Sequence, residues 1–511
     1  MNKKKLFLTI GISAAAFSIN YFISFFLTSY VTDNIGVDAY GFVSLSKTFA
    51  SYAVIATTAL NSYAARYITL EYHNKNYKNA NVYFNSILFG NLFCGAVLLG
   101  LCAAFEAVMP VVLNIPAGMV SDVRMLFLLV FFNLFVSLVG TAFQASAIIK
   151  NKLIQVSVFR GISYVIEAVT LLAVYALLPA KVYYAGIGML SATLFLNFAY
   201  CYLNGKYTPE LKISIAQFRL SAVKELVVNG IWNSFNSLGN TLNSGLDLLV
   251  SNTLLNAVSM GYVSIVKTIV NIFSSLYQMV CQPFEPILLK DYANGRKSEL
   301  IAHLKSAMKL SGLISNLAFA GVVGYGAWYY RLWIPKQDCE LLYRLTIIAV
   351  ATSIFEGAVY PLFYIYTLTI RNKIPCVITI VGGLLNVIGM YFLIQYTSLS
   401  VYAVFITTAV IMLLIHGVSN PLYTAKCLDL PWHTFYPELL RHVLSCGIMT
   451  VVFSIVSKAI VPRTWILFII SGGCACVVGS MIHLLIAFGP RRILSVIHRK
   501  VGNGYETQDN Q

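Results

Sequence analysis

The sequence predicts an all-α protein that crosses a membrane about fourteen times. Three observations carry that expectation. Of the 511 residues, 58% are hydrophobic and 11% charged, against about 25% charged in an average soluble chain. Apolar runs recur from end to end, each with the roughly twenty residues needed to cross a hydrocarbon core about 30 Å thick. Lys and Arg gather on one side of these runs. Hydrocarbon offers the backbone no hydrogen bonds, so spanning segments are helices or closed barrels. The runs lack the alternation of barrel strands.

The first helix is expected near 6–31, after Met1-Asn2-Lys3-Lys4-Lys5. Ala14-Ala15-Ala16 imitates a signal-peptide cleavage site, but the apolar run continues well past it, as a signal peptide's does not. Further apolar runs place helices near 40–63, 80–107, 124–149, 153–178 and 182–203. A second set follows near 226–254, 260–285, 310–333, 345–370, 374–394 and 399–424, and a final pair near 442–461 and 464–488. Tyr360-Pro361 is expected to kink its helix.

The formal net charge of +16 invites a nucleic-acid reading, and the placement of the charges argues against it. With a cytoplasmic amino terminus, twenty-five Lys and Arg fall on that side and seven on the other, with Lys47, Arg160 and Lys267 inside helices. That is the positive-inside bias, and anionic lipid is its natural counterpart. Both termini are expected in the cytoplasm, the last one marked by Arg491, Arg492, Arg499 and Lys500. The ten cysteines form no C-x-x-C pair and are expected as free thiols. No metal or cofactor is expected.

An internal repeat organises the chain. Gly41-Phe42-Val43-Ser44-Leu45-Ser46-Lys47-Thr48 returns as Gly261-Tyr262-Val263-Ser264-Ile265-Val266-Lys267-Thr268, and Glu71-Tyr72-His73-Asn74 faces Asp291-Tyr292-Ala293-Asn294 in the same register. Six helices per copy makes the copies parallel. The expected domains are residues 1–222, 223–430 and 431–511, the last holding helices 13 and 14 and a tail.

Two parallel six-helix lobes, an extra helix pair and Asp38-Ala39-Tyr40-Gly41-Phe42-Val43-Ser44 at the start of helix 2 resemble the Wzx-type polysaccharide-exporter branch of the multidrug/oligosaccharidyl-lipid/polysaccharide (MOP) superfamily. The resemblance implies a MATE-like flippase of the bacterial inner membrane with a central cavity lined by helices 1, 2, 7 and 8. By alternating access it would carry an undecaprenyl-pyrophosphate-linked oligosaccharide outward for O-antigen or capsule synthesis. Implied partners are the lipid-linked glycan, membrane lipids, a polysaccharide polymerase and a chain-length protein.

Helix 7 carries Asn229, Asn233, Asn236, Asn240, Asn243 and Asp247, at spacings that align them on one face. Amides donate and accept as sugar hydroxyls do, so this stripe is expected to line a watery cavity; interhelical glue is the alternative. Asn20 on helix 1 is a weaker echo. Lys47 and Lys267 are expected to meet the pyrophosphate, or else to snorkel. Asp247, Glu167 and Glu356 are candidates for a coupling proton because intramembrane carboxyls are costly; an Arg160–Glu167 pair or a hydrogen-bonded acid is the structural alternative. His416 and His483 are expected to pack or to bond a neighbouring helix.

No G-x-x-x-x-G-K-[ST] loop is present, which excludes ATP hydrolysis by that route. No paired carboxylates stand on an outer loop. The chain is therefore not expected to be an enzyme, and a polyprenyl-linked glycosyltransferase or polymerase ranks below a multidrug or metabolite exporter as an alternative.

Overall fold

The computed structural model describes residues 3–150, 152–369 and 371–489; the side chains of 3–17, 20, 153, 243 and 244 fall outside the description. The four basic tail residues from Arg491 to Lys500 also lie outside the described residues. Among the described residues there are helices and turns but no strand.

The helices form fourteen columns. The first six are α1 (Lys3–Asn34), α2 (Val37–Asn61, continued by Ala64–His73), α3 (Tyr77–Val112), α4 (Ala117–Ile149), α5 (Leu153–Leu177) and α6 (Tyr184–Tyr207). Next come α7 (Leu220–Ser244, prolonged by Asp247–Val250 and a π turn, Ser251–Leu255), α8 (Ala257–Ala293), α9 (Lys297–Trp333) and α10 (Cys339–Val350 with Ser353–Leu368). The chain then runs through α11 (Lys373–Tyr396), α12 (Val401–Cys427), α13 (Tyr436–Ala459) and α14 (Trp465–Phe488). Ten of these pass for membrane spans on length and apolarity alone, and the bent α10 makes an eleventh. The other three are α1, α2 and α7; α2 and α7 are the columns that carry the lysine and the asparagines singled out in the sequence. The protein is a multi-pass integral membrane protein.

The sharpest break in α10 is not at its proline. The column bends by 40° at Ala351-Thr352, while Tyr360–Leu362 makes a single 3-10 turn. The α-helix is interrupted at Pro361, whose missing N–H leaves a helical bond unmade.

The 220-residue repeat reaches the backbone. Val37–Asn61 is matched by Ala257–Cys281, the end of Ala64–His73 by Ala293, and the starts of α3 and α5 by Lys297 and Lys373, all at the offset that separates Ser44 from Ser264. The short helices that precede α3 and α9 end alike. Lys75 and Gly295 have positive φ, 59° and 68°. Asn76 N–H donates to the Glu71 carbonyl and Arg296 N–H to that of Asp291; Lys75 and Gly295 donate to Tyr72 and Tyr292. Both are Schellman caps, whose left-handed residue satisfies carbonyls the helix leaves open.

The chain forms two compact units, Met1–Ile265 and Val266–Gln511. In the first, α3 packs on α4, α5 on α6, α4 on α6, α1 on α5, and α2 along α7. Its core near the α2 break holds Leu60, Ile68, Phe84, Phe143, Tyr200 and Leu226. In the second, α9 packs on α10 and α13, α11 on α12, α10 on α12, and α13 on α14. The α3–α4, α5–α6 and α4–α6 pairings are thus matched by α9–α10, α11–α12 and α10–α12.

Buried asparagines brace the first unit. Asn61 and Asn91 exchange amide bonds of 3.0 and 2.8 Å, and Asn91 also donates to the Leu138 carbonyl. Asn81 and Asn85, one turn apart on α3, bind the segment joining α6 to α7. Asn81 donates to the Glu210 carbonyl and accepts from Lys212 N–H, and Asn85 donates to the Lys212 carbonyl and accepts from Ser214 N–H, at 2.7–2.9 Å. Two amides thus grip the strap as a neighbouring strand would. The Tyr72 hydroxyl donates to the Glu210 carboxylate at 2.8 Å, which holds that carboxyl below its usual range.

Candidate functional site

Two sides of α2 do different things. Gly41 and Gly261 meet where α2 crosses the first turns of α8 inside the first unit. A Cβ on Gly41 would come 2.7 Å from Met260 Cε and 3.0 Å from Gly261 Cα, and one on Gly261 would overlap the Val37 carbonyl. One turn on, the Ser264 hydroxyl donates to that of Ser44. The identical Gly and Ser of the two motifs are therefore identical because they touch each other.

Farther along, the same side of α2 meets α7. Ser234 donates to the Ile55 carbonyl at 2.9 Å and Tyr52 to that of Gly245 at 2.6 Å. A Cβ on Gly230 would overlap the Ala59 carbonyl. These contacts fix the rotation of α7.

Another side of α2 carries Lys47, Ser51, Val54 and Thr58, one helical face by spacing. Lys47, Ser51 and Val54 are exposed. Glu167 is half-buried on α5. Arg160 is exposed, and among the described residues no salt bridge joins it to Glu167.

On α7, Asn229 and Asn240 are exposed and Asn233 and Asn236 half-buried, with Asn229 donating to the Tyr67 hydroxyl at 2.8 Å. Val228, Trp232 and Phe235 form a separate exposed apolar face, about 100° around the helix from the amides at 3.6 residues per turn. The stripe thus lies between a lipid-like face and the α2 contact. Asp247 is buried at 3% exposure. The side chains of Asn20 and Asn243 lie outside the described residues. The contrast with α3 is informative, because the asparagines that act as glue, Asn81, Asn85 and Asn91, are 6%, 0% and 0% exposed. Sequence reasoning missed these three; the i,i+4 spacing of Asn81 and Asn85 was the available signal.

In the second unit, Lys267 is half-buried, with Asn271, exposed, and Ser274 at the next turns of the same face. Ser274 donates to Glu356 Oε1 at 3.3 Å, so Glu356 is a hydrogen-bonded acid. An apolar cavity of about 430 Å³ opens among α8, α9, α13 and α14, lined by Ile272, Gly321, Tyr325, Phe453 and Gly472 among others. At other turns of the last three helices, Glu438 draws in Arg441, Lys309 and Lys305 at 3.3, 3.5 and 3.9 Å. His483 Nδ1 faces Ser445 Oγ and Asn316 Nδ2, and its Nε2 the Lys309 carbonyl. It ties α14 to α13 and α9. His416 bonds Asn420 of its own helix and packs edge-on to Phe363, within the π turn Ile415–Ser419.

Solved structures share this arrangement. A lipid II flippase MurJ in an inward closed conformation matches with a TM-score of 0.68, 15% identity, and coverage of 93% of this chain and 98% of that one. An inward-facing multidrug resistance MATE family transporter of the MOP superfamily matches at 0.67, with 13% identity over 82% and 98% of the two chains. The chain has the MOP superfamily fold. No protein-family model matches it. In sequence, the MOP-fold chain is 25% identical over 434 residues to an uncharacterized membrane protein, EpsK, of Bacillus subtilis (strain 168), covering 84% of this chain and 86% of that protein. The solved MOP-fold neighbours named here are a flippase and a transporter; neither is an enzyme.

Proposed function

We propose that the chain is a flippase of the bacterial inner membrane that moves an undecaprenyl-pyrophosphate-linked oligosaccharide to the periplasmic leaflet by alternating access, for surface polysaccharide such as O-antigen or capsule. The observation that carries the reading is the amide stripe of α7, with Asn229 and Asn240 exposed, on the helix that packs along α2, where Lys47 is exposed on another face. Exposed amides match hydroxyl-rich cargo, and a lysine attracts phosphate as a point charge without the bidentate grip of arginine, which favours release. The apolar cavity of the second unit suits a lipid chain. The flippase neighbour's named cargo, lipid II, supports a lipid-linked substrate class.

In this proposal Lys47 and Lys267 contact the pyrophosphate and Asn20, Asn233, Asn236, Asn240 and Asn243 the sugars. Asp247, Glu167 and Glu356 serve coupling. The repeats are residues 1–222 and 223–430, with 431–511 added, and both termini are cytoplasmic. A polymerase and a chain-length protein act downstream. Deleting the gene should make the lipid-linked glycan accumulate on the cytoplasmic leaflet, and the purified chain in vesicles should move a fluorescent lipid-linked oligosaccharide between leaflets. Normal leaflet distribution on deletion, together with new sensitivity to organic cations, would favour the second reading, a multidrug exporter, which the MATE neighbour keeps in view.

A further inference from the structure

The strap between α6 and α7 folds only part of its apolar side chains inward. Leu211 is buried at 3% exposure, but Ile213, Ile215 and Leu220 are 63%, 75% and 72% exposed. The amide clamp from Asn81 and Asn85 fixes the backbone at residues 210, 212 and 214, so these side chains are presented rather than left to collapse. Lys212, Arg219 and Lys224, all exposed, alternate with them. Chain neighbours at the same end make an interfacial belt. Lys152 lies 4.9 Å from the ring centre of Tyr207, and Lys206 5.5 Å from that of Tyr202. Amphipathic aromatic rings with basic residues mark the headgroup level of a membrane protein.

We propose that this strap is a lipid-binding element. Ile213 and Ile215, with Leu220 at the start of α7, enter the boundary between headgroups and acyl chains, and Lys212 and Arg219, with Lys224 on the first turns of α7, bind the phosphates of anionic phospholipids. Three features select lipid over a soluble partner. The strap runs directly into a membrane helix at each end, Tyr207 and Leu220, so its level is the bilayer surface. Its composition, apolar residues interleaved with cations, is that of interfacial segments. Its charge complements the anionic leaflet, which attracts basic residues that lie within a Debye length.

The test places a tryptophan on the strap. Ile213→Trp and Ile215→Trp are made singly in the full chain with the five native tryptophans replaced by phenylalanine, and reconstituted into phosphatidylcholine vesicles with or without phosphatidylglycerol. The expected result is blue-shifted emission, quenching by chain-brominated lipid at least about twofold stronger than by aqueous iodide, and a further blue shift with phosphatidylglycerol, as for residues seated at the interface. Red-shifted emission quenched mainly by iodide would overturn the proposal and point to a soluble partner or bare solvent. Lys212→Gln, Arg219→Gln and Lys224→Gln together should abolish the phosphatidylglycerol effect; its persistence would refute the headgroup assignment. If the tryptophan-free chain does not fold, a nitroxide on Ile213→Cys, with the native tryptophans kept and the ten native cysteines replaced, gives the same decision. Greater accessibility to oxygen than to a water-soluble nickel complex supports burial in lipid, and the reverse overturns it.

Discussion

Gly261 occupies the space that a side chain on Gly41 would need, while the space beside Gly261 is filled by Val37. Their surroundings are unequal. A methyl on Gly41 meets the flexible end of Met260, whereas one on Gly261 meets the backbone of Val37. Overpacking costs about 1–3 kcal/mol when neighbours cannot yield. Gly261→Ala should therefore lower the thermal midpoint of the detergent-solubilised protein more than Gly41→Ala, and Gly41→Leu should approach Gly261→Ala. Equal midpoints for the two alanine variants would mean that this crossing is loose.

The amide clamp predicts a protease phenotype. Asn85→Ala removes the donor to the Lys212 carbonyl and the acceptor for Ser214 N–H, leaving groups whose loss costs about 1–3 kcal/mol when buried. Trypsin cleavage after the exposed Lys212 and Arg219 should rise about tenfold, because cleavage follows the population of the opened strap. Asn229→Ala, on the open stripe, should leave the cleavage rate unchanged.

Two kinds of exposed surface on α7 can be told apart in the membrane. In a background without native cysteines, Asn233→Cys and Asn240→Cys should react with a charged thiol reagent. Val228→Cys and Trp232→Cys, on the apolar face, should be protected by lipid. Uniform reactivity of all four would remove the distinction on which the proposed cargo surface rests.

The lysines test the charge requirement. Lys47→Gln and Lys267→Gln should each cut lipid-linked glycan transfer in vesicles about tenfold while protein level holds, which corresponds to about 1.4 kcal/mol per site. Arg at either position should restore more transfer than Gln. Normal transfer by the double Gln variant would make both residues snorkelling anchors.

Much of the fold was legible because the bilayer writes it plainly. A helix that must bury its backbone in hydrocarbon needs an uninterrupted apolar run, and these runs foretold the columns from α1 to α14. The repeat was legible from an eight-residue motif and a four-residue match in the same register. Its meaning was not, since no single window shows that Gly41 would touch Gly261 or that Ser264 would bond Ser44 across 220 residues. Local breaks were also hidden. The bend at Ala351-Thr352 has no proline or glycine to announce it, nor has the π turn Ser251–Leu255, whereas the π turn Ile415–Ser419 contains Gly417. Of the candidate site, the one-sided placement of the asparagines came from 3.6-residue periodicity. The Ser234 bond to the Ile55 carbonyl, which sets α7 against α2, needed the three-dimensional arrangement.

The matched caps at Lys75 and Gly295 carry a consequence for engineering. The same left-handed turn is built once with glycine and once with a residue that resists it by about 1 kcal/mol, so one copy supplies the correction for the other. Lys75→Gly should therefore raise the thermal midpoint of the protein. The turn length itself leaves no slack: a single inserted residue between Asn74 and Tyr77 would rotate α3 by about 100°, carrying Asn81 and Asn85 away from the strap and Asn91 away from Asn61. Fusion tags and reporter loops therefore belong elsewhere.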